Sequence, residues 1–141
     1  MKFLIPMIIM VLFGNTMAFS TSTLCKVREK QGLDIQCGLG DSTALLSRRN
    51  PDFRILGIEK DAELCQQAKQ RYPNLLFFHG DAEDMTFYPD ILDIIQVPLH
   101  EISSTFFLKK LHRMLHPKGI LRILDEEGRI LYRIKKHDLR L

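Results

Sequence analysis

The stretch Leu33-Asp34-Ile35-Gln36-Cys37-Gly38-Leu39-Gly40-Asp41-Ser42-Thr43 reads as a buried strand that turns sharply on two glycines and enters a helix. Glycine adopts conformations closed to other residues and lets a ligand approach the main chain. Such a turn brings backbone N–H groups to the C-terminal edge of a parallel sheet, where open α/β sheets bind their ligands. The next strand-like run, Arg54-Ile55-Leu56-Gly57-Ile58, ends at an acidic residue, Glu59. A carboxylate there can accept hydrogen bonds from both hydroxyls of a ribose. Together, the turn and the carboxylate read as a site for a nucleoside-containing cofactor.

Working outward, four βα-like units follow one another with short links. Strands are expected at Gly32 to Gln36, Arg54 to Ile58, Leu75 to His79, Ile91 to Val97 and Ile120 to Leu124. Ser42 to Arg49 is the first helix, and Asn50-Pro51-Asp52 breaks it. Asp61 caps a second helix whose Leu64, Cys65, Ala68 and Tyr72 form one apolar stripe. Ser103 or Ser104 caps a third, in which Phe107, Leu111, Met114 and Leu115 face one way. Strands this apolar are buried on both faces, which implies a parallel sheet covered by helices. Right-handed crossovers then give an α/β three-layer sandwich. Arg129 to Ile134 reads equally as a helix or as an antiparallel edge strand returning across Glu127-Gly128.

The chain has 141 residues, 45% hydrophobic and 26% charged, enough for one globular domain with one core. A net charge of +3 is too small to argue for nucleic acid. Arg129, Arg133, Lys135, Lys136 and Arg140 make the end of the chain locally basic, which reads as a solvated face. Three cysteines, Cys25, Cys37 and Cys65, make no disulfide framework, and no CxxC or His pair at ligand spacing suggests a metal.

The N-terminus reads as a targeting segment. Lys2 is followed by the apolar run Phe3 to Phe13, and Thr16-Met17-Ala18 offers small residues for cleavage after Ala18. The run is too short to span a bilayer, which needs about 20 apolar residues. The expected organisation is a signal peptide over 1–18, a linker or transit segment over 19–31, a domain over 32–127 and a basic segment over 128–141. The destination is then the secretory route. Ala18-Phe19 with the hydroxylated Ser20-Thr21-Ser22-Thr23 also resembles the bipartite presequences of secondary plastids, the alternative destination.

Read together, these pieces resemble a class I S-adenosylmethionine-dependent methyltransferase. The family's glycine motif is acidic-x-Gly-x-Gly-x-Gly, and Asp34, Cys37, Gly38 and Gly40 match it. Gln36 stands where the first glycine is expected. The resemblance implies a Rossmann-like, mainly parallel sheet in the order 3-2-1-4-5, here without room for the usual sixth and seventh strands. It implies S-adenosylmethionine as cofactor, with the backbone near Gly38 and Gly40 passing beneath it and Asp34 orienting the methionine ammonium. Glu59 matches the residue that holds the ribose, and Lys60 flanks the adenine. Gly80-Asp81-Ala82 matches the segment in which an Asp accepts from the adenine amino group and the next backbone N–H faces the ring. Gln96 follows the fourth strand near the sulfonium. Leu115-His116-Pro117-Lys118-Gly119 resembles the Leu-x-Pro-Gly-Gly that precedes the fifth strand.

Gln36 is the main departure. At negative φ a glutamine fits there without strain. At positive φ, or with its side chain in the methionine pocket, it weakens binding. The intact remainder of the motif favours the first. No catalytic residue is assigned, because alignment of the acceptor can carry much of a methyl transfer. His100 is a candidate general base whose alternative is a cap or surface histidine. The expectation is methyl transfer to a small-molecule acceptor, without nucleic acid or a stable membrane span. An open sheet edge would be covered by a partner chain or a second copy. One alternative is a degenerate, non-catalytic binding or structural subunit. Another is an NAD(P)-dependent oxidoreductase, against which stands Thr43 in place of a third glycine.

Overall fold

A computed structural model describes residues 28–141. The targeting expectation for residues 1–18, and that for 19–31 as far as residue 27, lie outside the described residues; Lys30 and Gln31 belong to the first strand. In chain order the elements are β1 (Lys30–Ile35), α1 (Asp41–Arg49), β2 (Phe53–Glu59), α2 (Ala62–Arg71), β3 (Leu76–His79), β4 (Leu92–Pro98), α3 (Thr105–Met114), β5 (Leu115–Leu124) and β6 (Ile130–Lys135). Single turns of 3₁₀ helix, Leu99–Glu101 and Lys136–Asp138, follow β4 and β6.

The strands form one sheet in the order β3-β2-β1-β4-β5-β6. All neighbours are parallel except β5 and β6. The expected order of the first five strands holds. Arg129 to Ile134 proves to be mostly strand, so the edge beyond β5 is covered. Asp125 anchors the turn: its backbone N–H donates to the Arg129 carbonyl and its carboxylate accepts from the Arg129 backbone N–H. Gly128, at φ 78°, completes the turn in a conformation that suits glycine. The sheet therefore reaches past 32–127 at both ends.

Two helices cover one face and one covers the other. Leu46 of α1 packs on Ile55 and Ile94. Cys65 and Ala68 of α2 pack with Cys37 and Phe77. On the opposite face, Phe107, Leu111 and Met114 of α3 join Leu33, Leu56, Ile95 and Leu121 in the main core. Burying such a side chain contributes about 1.5–3 kcal/mol. The helix starts are local chemistry. Asp61 accepts from the Leu64 N–H at 2.9 Å, and Ser104 accepts from the Phe107 N–H at 3.1 Å.

One boundary differs from expectation. Pro117-Lys118-Gly119 lies inside β5, within a bulge where Leu92 pairs with Leu115 and Ile94 with Ile120. A Cβ on Gly119 would lie 2.7 Å from the Leu92 carbonyl oxygen, so only glycine fits the bulge. Among the described residues, no helix is long and apolar enough to cross a membrane.

Candidate functional site

The loop between β1 and α1 carries positive φ at three alternate positions. Gln36, Gly38 and Gly40 have φ of 57°, 56° and 89°. Gly40 also packs tightly: a Cβ there would meet Phe77 at 2.7 Å and Tyr72 at 3.0 Å. A Cβ on Gly38 would meet nothing within 4 Å, so the main chain there faces open space.

Gln36 is where the structure overturns the expectation. Its φ is positive, a region disfavoured for any side chain with a Cβ. The conformation comes from the site, since β1 has to turn at once beside the end of β2. The Cys37 N–H donates to the Ile58 carbonyl at 3.0 Å, and the Gly40 N–H donates to the Cys37 carbonyl at 3.0 Å. The Gln36 side chain then folds over Glu59, its Nε2 donating to Oε1 at 2.9 Å.

Glu59 has no exposed surface. Its Oε1 also accepts from the Asp61 N–H at 2.9 Å, and its Oε2 accepts from the Gly38 N–H at 2.7 Å. Three donors satisfy a carboxylate held at the C-terminal end of β2, beside the glycine turn.

Asp34 lies one strand away and is equally enclosed. Oδ2 accepts from the Ser42 hydroxyl at 2.6 Å and the Thr43 hydroxyl at 2.8 Å, and Oδ1 accepts from the Gln96 amide at 3.2 Å. Burial pushes the Asp34 carboxyl above its usual range, against the pull of those three donors. Ser42 and Thr43 were not expected among the site residues. Their signal was present: two hydroxyls just past a glycine turn can reach back to the acid before it. The Cys37 thiol is pushed up to about 12, first by burial and then by the Asp34 charge, so it is neutral at physiological pH.

The remaining candidates are less tightly joined to this centre. The Lys60 ammonium donates to Glu101 at 2.7 Å, which holds it protonated and ties the end of β2 to the exit of β4. Asp81 is half-buried, and its Oδ1 accepts from the Glu83 N–H at 3.0 Å. Ala82 is buried in the main core. The Gly80 N–H donates to the Glu59 carbonyl at 2.9 Å and keeps this segment against the site. His100 is exposed, with Nε2 3.5 Å from Glu101, and touches neither Asp34 nor Glu59. Among the described residues no cluster of His, Cys, Asp and Glu could hold a metal.

A buried acid at the end of β2, a backbone left open at Gly38 and a parallel sheet in this order define a nucleotide-type site on a Rossmann-like fold. The family model described as a methyltransferase domain matches residues 33–119, and the chain belongs to that family, the class I S-adenosylmethionine-dependent methyltransferases. Over 93 residues it is 31% identical to a trans-aconitate 2-methyltransferase of Methylobacterium radiotolerans, covering 64% of this chain and 36% of that protein. It is 30% identical over 105 residues to a demethylmenaquinone methyltransferase of Thermotoga maritima, covering 72% and 46%. Its fold superposes with a TM-score of 0.62 on a geranyl diphosphate C-methyltransferase of Streptomyces coelicolor A3(2), solved with Mg2+, geranyl diphosphate and S-adenosyl-L-homocysteine. That likeness has 15% identity and covers 68% of this chain and 39% of the other. The chain thus spans less than half the length of these relatives.

Proposed function

We propose that this chain binds S-adenosylmethionine and transfers its methyl group to a small-molecule acceptor. The observation that carries the reading is Glu59, buried and oriented by the Gly38 and Asp61 N–H groups at the sheet edge where the backbone lies open. When bound, the cofactor supplies an activated methyl group: the acceptor's lone pair forms the new bond, the carbon–sulfur pair stays on sulfur, and any acceptor proton passes to water.

The residues present fit that cofactor with one exchange. Glu59 would hold the ribose hydroxyls once the Gln36 amide left Oε1, and the Gly38 backbone, left open, would lie against the cofactor. Asp81 and the Ala82 N–H would hold the adenine, with the methylene stem of Lys60 beside it. Asp34 is a positioning residue in this reading, because all its hydrogen bonds fix Ser42, Thr43 and Gln96. Gln96, at the end of β4, would stand toward the reacting end. His100 is exposed and its one partner among the described residues is Glu101, so it is given no base's role; positioning of the acceptor can carry much of the rate.

Gln36 supports a second reading, a degenerate binding or structural subunit, because its amide occupies the carboxylate that the ribose needs. The nicotinamide reading loses its support with the family match. Calorimetric titration of the full chain with S-adenosylhomocysteine and, separately, with NAD decides among the three. Binding of the first alone is expected. No response to either selects the subunit. We also propose entry to the secretory route through residues 1–18, with a secondary plastid as the alternative; a fluorescent protein fused after residue 35 reports the destination, and cytosolic fluorescence removes the proposal.

A further inference from the structure

The polar residues of the site continue across the sheet and end in arginines that join no ion pair among the described residues. In the strand registers Asp34 of β1 is level with Gln96 of β4, Gln96 with Arg122 of β5, and Arg122 with Arg133 of β6. Residues level with one another across a sheet share a face. Here it is the face that carries α1, since Ser42 and Thr43 of α1 reach Asp34.

Asp34 and Gln96 satisfy one another. Arg122 is different: its Nε is buried and meets no acceptor among the described residues. Burial, and then the charges of Arg133 and Arg49, lower its affinity for its proton. The ion pairs among the described residues include none of Arg49, Arg122 and Arg133. Beside Arg122 opens a cavity of about 410 Å³ whose wall includes Arg49, Gln96, Cys37 and Leu39. Asp41, Glu126 and Glu127 also line it, all three exposed; Asp41 pairs with Arg71 at 3.2 Å and Glu127 accepts from Arg129 at 2.9 Å.

A buried guanidinium N–H without an acceptor, repelled by two more cations, is unfavourable as it stands. A planar or tetrahedral anion in the cavity would supply the acceptor and the counter-charge, and guanidinium geometry suits both carboxylate and phosphate. The volume is that of a small-molecule site. Cys37 and Leu39 belong to the glycine turn, so the cavity adjoins the cofactor loop.

We propose that this cavity receives the anionic group of the methyl acceptor, a carboxylate or phosphate held by Arg122 in the field of Arg49 and Arg133. The proposal rests on the methyl-transfer reading of the adjoining loop. Its test is calorimetry on the full chain with inorganic phosphate and with tricarballylate, each with and without S-adenosylhomocysteine. At least one anion is expected to bind, and Arg122→Gln to weaken it by about tenfold or more. The same variant should melt no lower than the parent, because it removes like-charge repulsion. Arg133→Gln should weaken binding by a smaller factor and serves if Arg122→Gln does not fold. A response to phosphate alone assigns a phosphorylated acceptor, and one to tricarballylate alone assigns a carboxylate. Absence of binding by both anions, or equal affinity in parent and variants, overturns the site. Arg122-dependent anion binding in a chain that ignores S-adenosylhomocysteine keeps the anion site and overturns its role in methyl transfer.

Discussion

At the residue scale, the proposed cofactor site turns on Gln36 and Glu59. Gln36 sits at φ 57° and donates to a buried carboxylate. Gln36→Gly removes backbone strain of about 1–2 kcal/mol and adds glycine's entropic penalty of about 0.5–1 kcal/mol. Stability should therefore change little, apart from the lost hydrogen bond. Affinity for S-adenosylhomocysteine should rise by about tenfold, the worth of a hydrogen bond to a charged group. Calorimetry checks this, and an unchanged affinity means that the amide does not compete with the ribose. Glu59→Ala has the opposite character. It leaves the Gln36, Gly38 and Asp61 donors without their acceptor. Denaturant unfolding should show a loss of about 2–4 kcal/mol in addition to lost binding. Glu59 is thus a structural keystone of the turn as well as the acid proposed to hold the ribose, and the first role was not suggested by its position in the sequence alone. Asp34 makes stability pH-dependent. Its folded carboxyl holds a proton more tightly than the unfolded one, whose ordinary value is 3.8. The folded state therefore binds more protons in the window just above 3.8, and stability contributed by Asp34 falls as pH rises through it. Replacing Asp34 by Asn should flatten that part of the unfolding free energy measured against pH.

At the element scale, the β1–α1 turn and the start of α3 are the places where one substitution matters most. Gly40→Ala places a Cβ at φ 89° and 2.7 Å from the Phe77 ring. Strain and overpacking together should destabilise the chain by about 2–4 kcal/mol. The loss is read from the shift in denaturant midpoint at constant slope. By contrast, Ser104→Ala removes only the bond to the Phe107 N–H and should lower stability by about 1 kcal/mol. A Gly40→Ala variant as stable as the Ser104→Ala variant would show that Phe77 and Tyr72 can move aside.

At the scale of the whole molecule, stability is distributed by position in the sheet. β1 and β4 are paired on both sides and nearly all buried, whereas β3 and β6 are edges. β6 carries exposed Ile130, Leu131 and Tyr132 and is held at its far end by Lys136, which donates to Asp90 and to the Leu115 carbonyl, each at 2.5 Å. Amide exchange should be slowest in Leu33–Ile35 and Ile94–Val97 and fastest in β6. Slow exchange across β6 would mean that another chain, or residues outside 28–141, pairs with that edge.

Much of this was legible locally. Hydrophobic runs mark the strands, Asp61 and Ser104 mark helix starts, and the glycine turn with Glu59 marks the site, because each depends on neighbours within a few residues. What only the tertiary structure decided depends on distant partners. The conformation of Gln36 is imposed by the end of β2 beside it, so composition could not say whether its φ was positive. The choice of strand for Arg129 to Ile134 came from the open edge of β5. The unbalanced Arg122 emerges only when β1, β4, β5 and β6 are placed in register, since the charge a residue feels is set by what stands across the sheet and not by what precedes it in the chain.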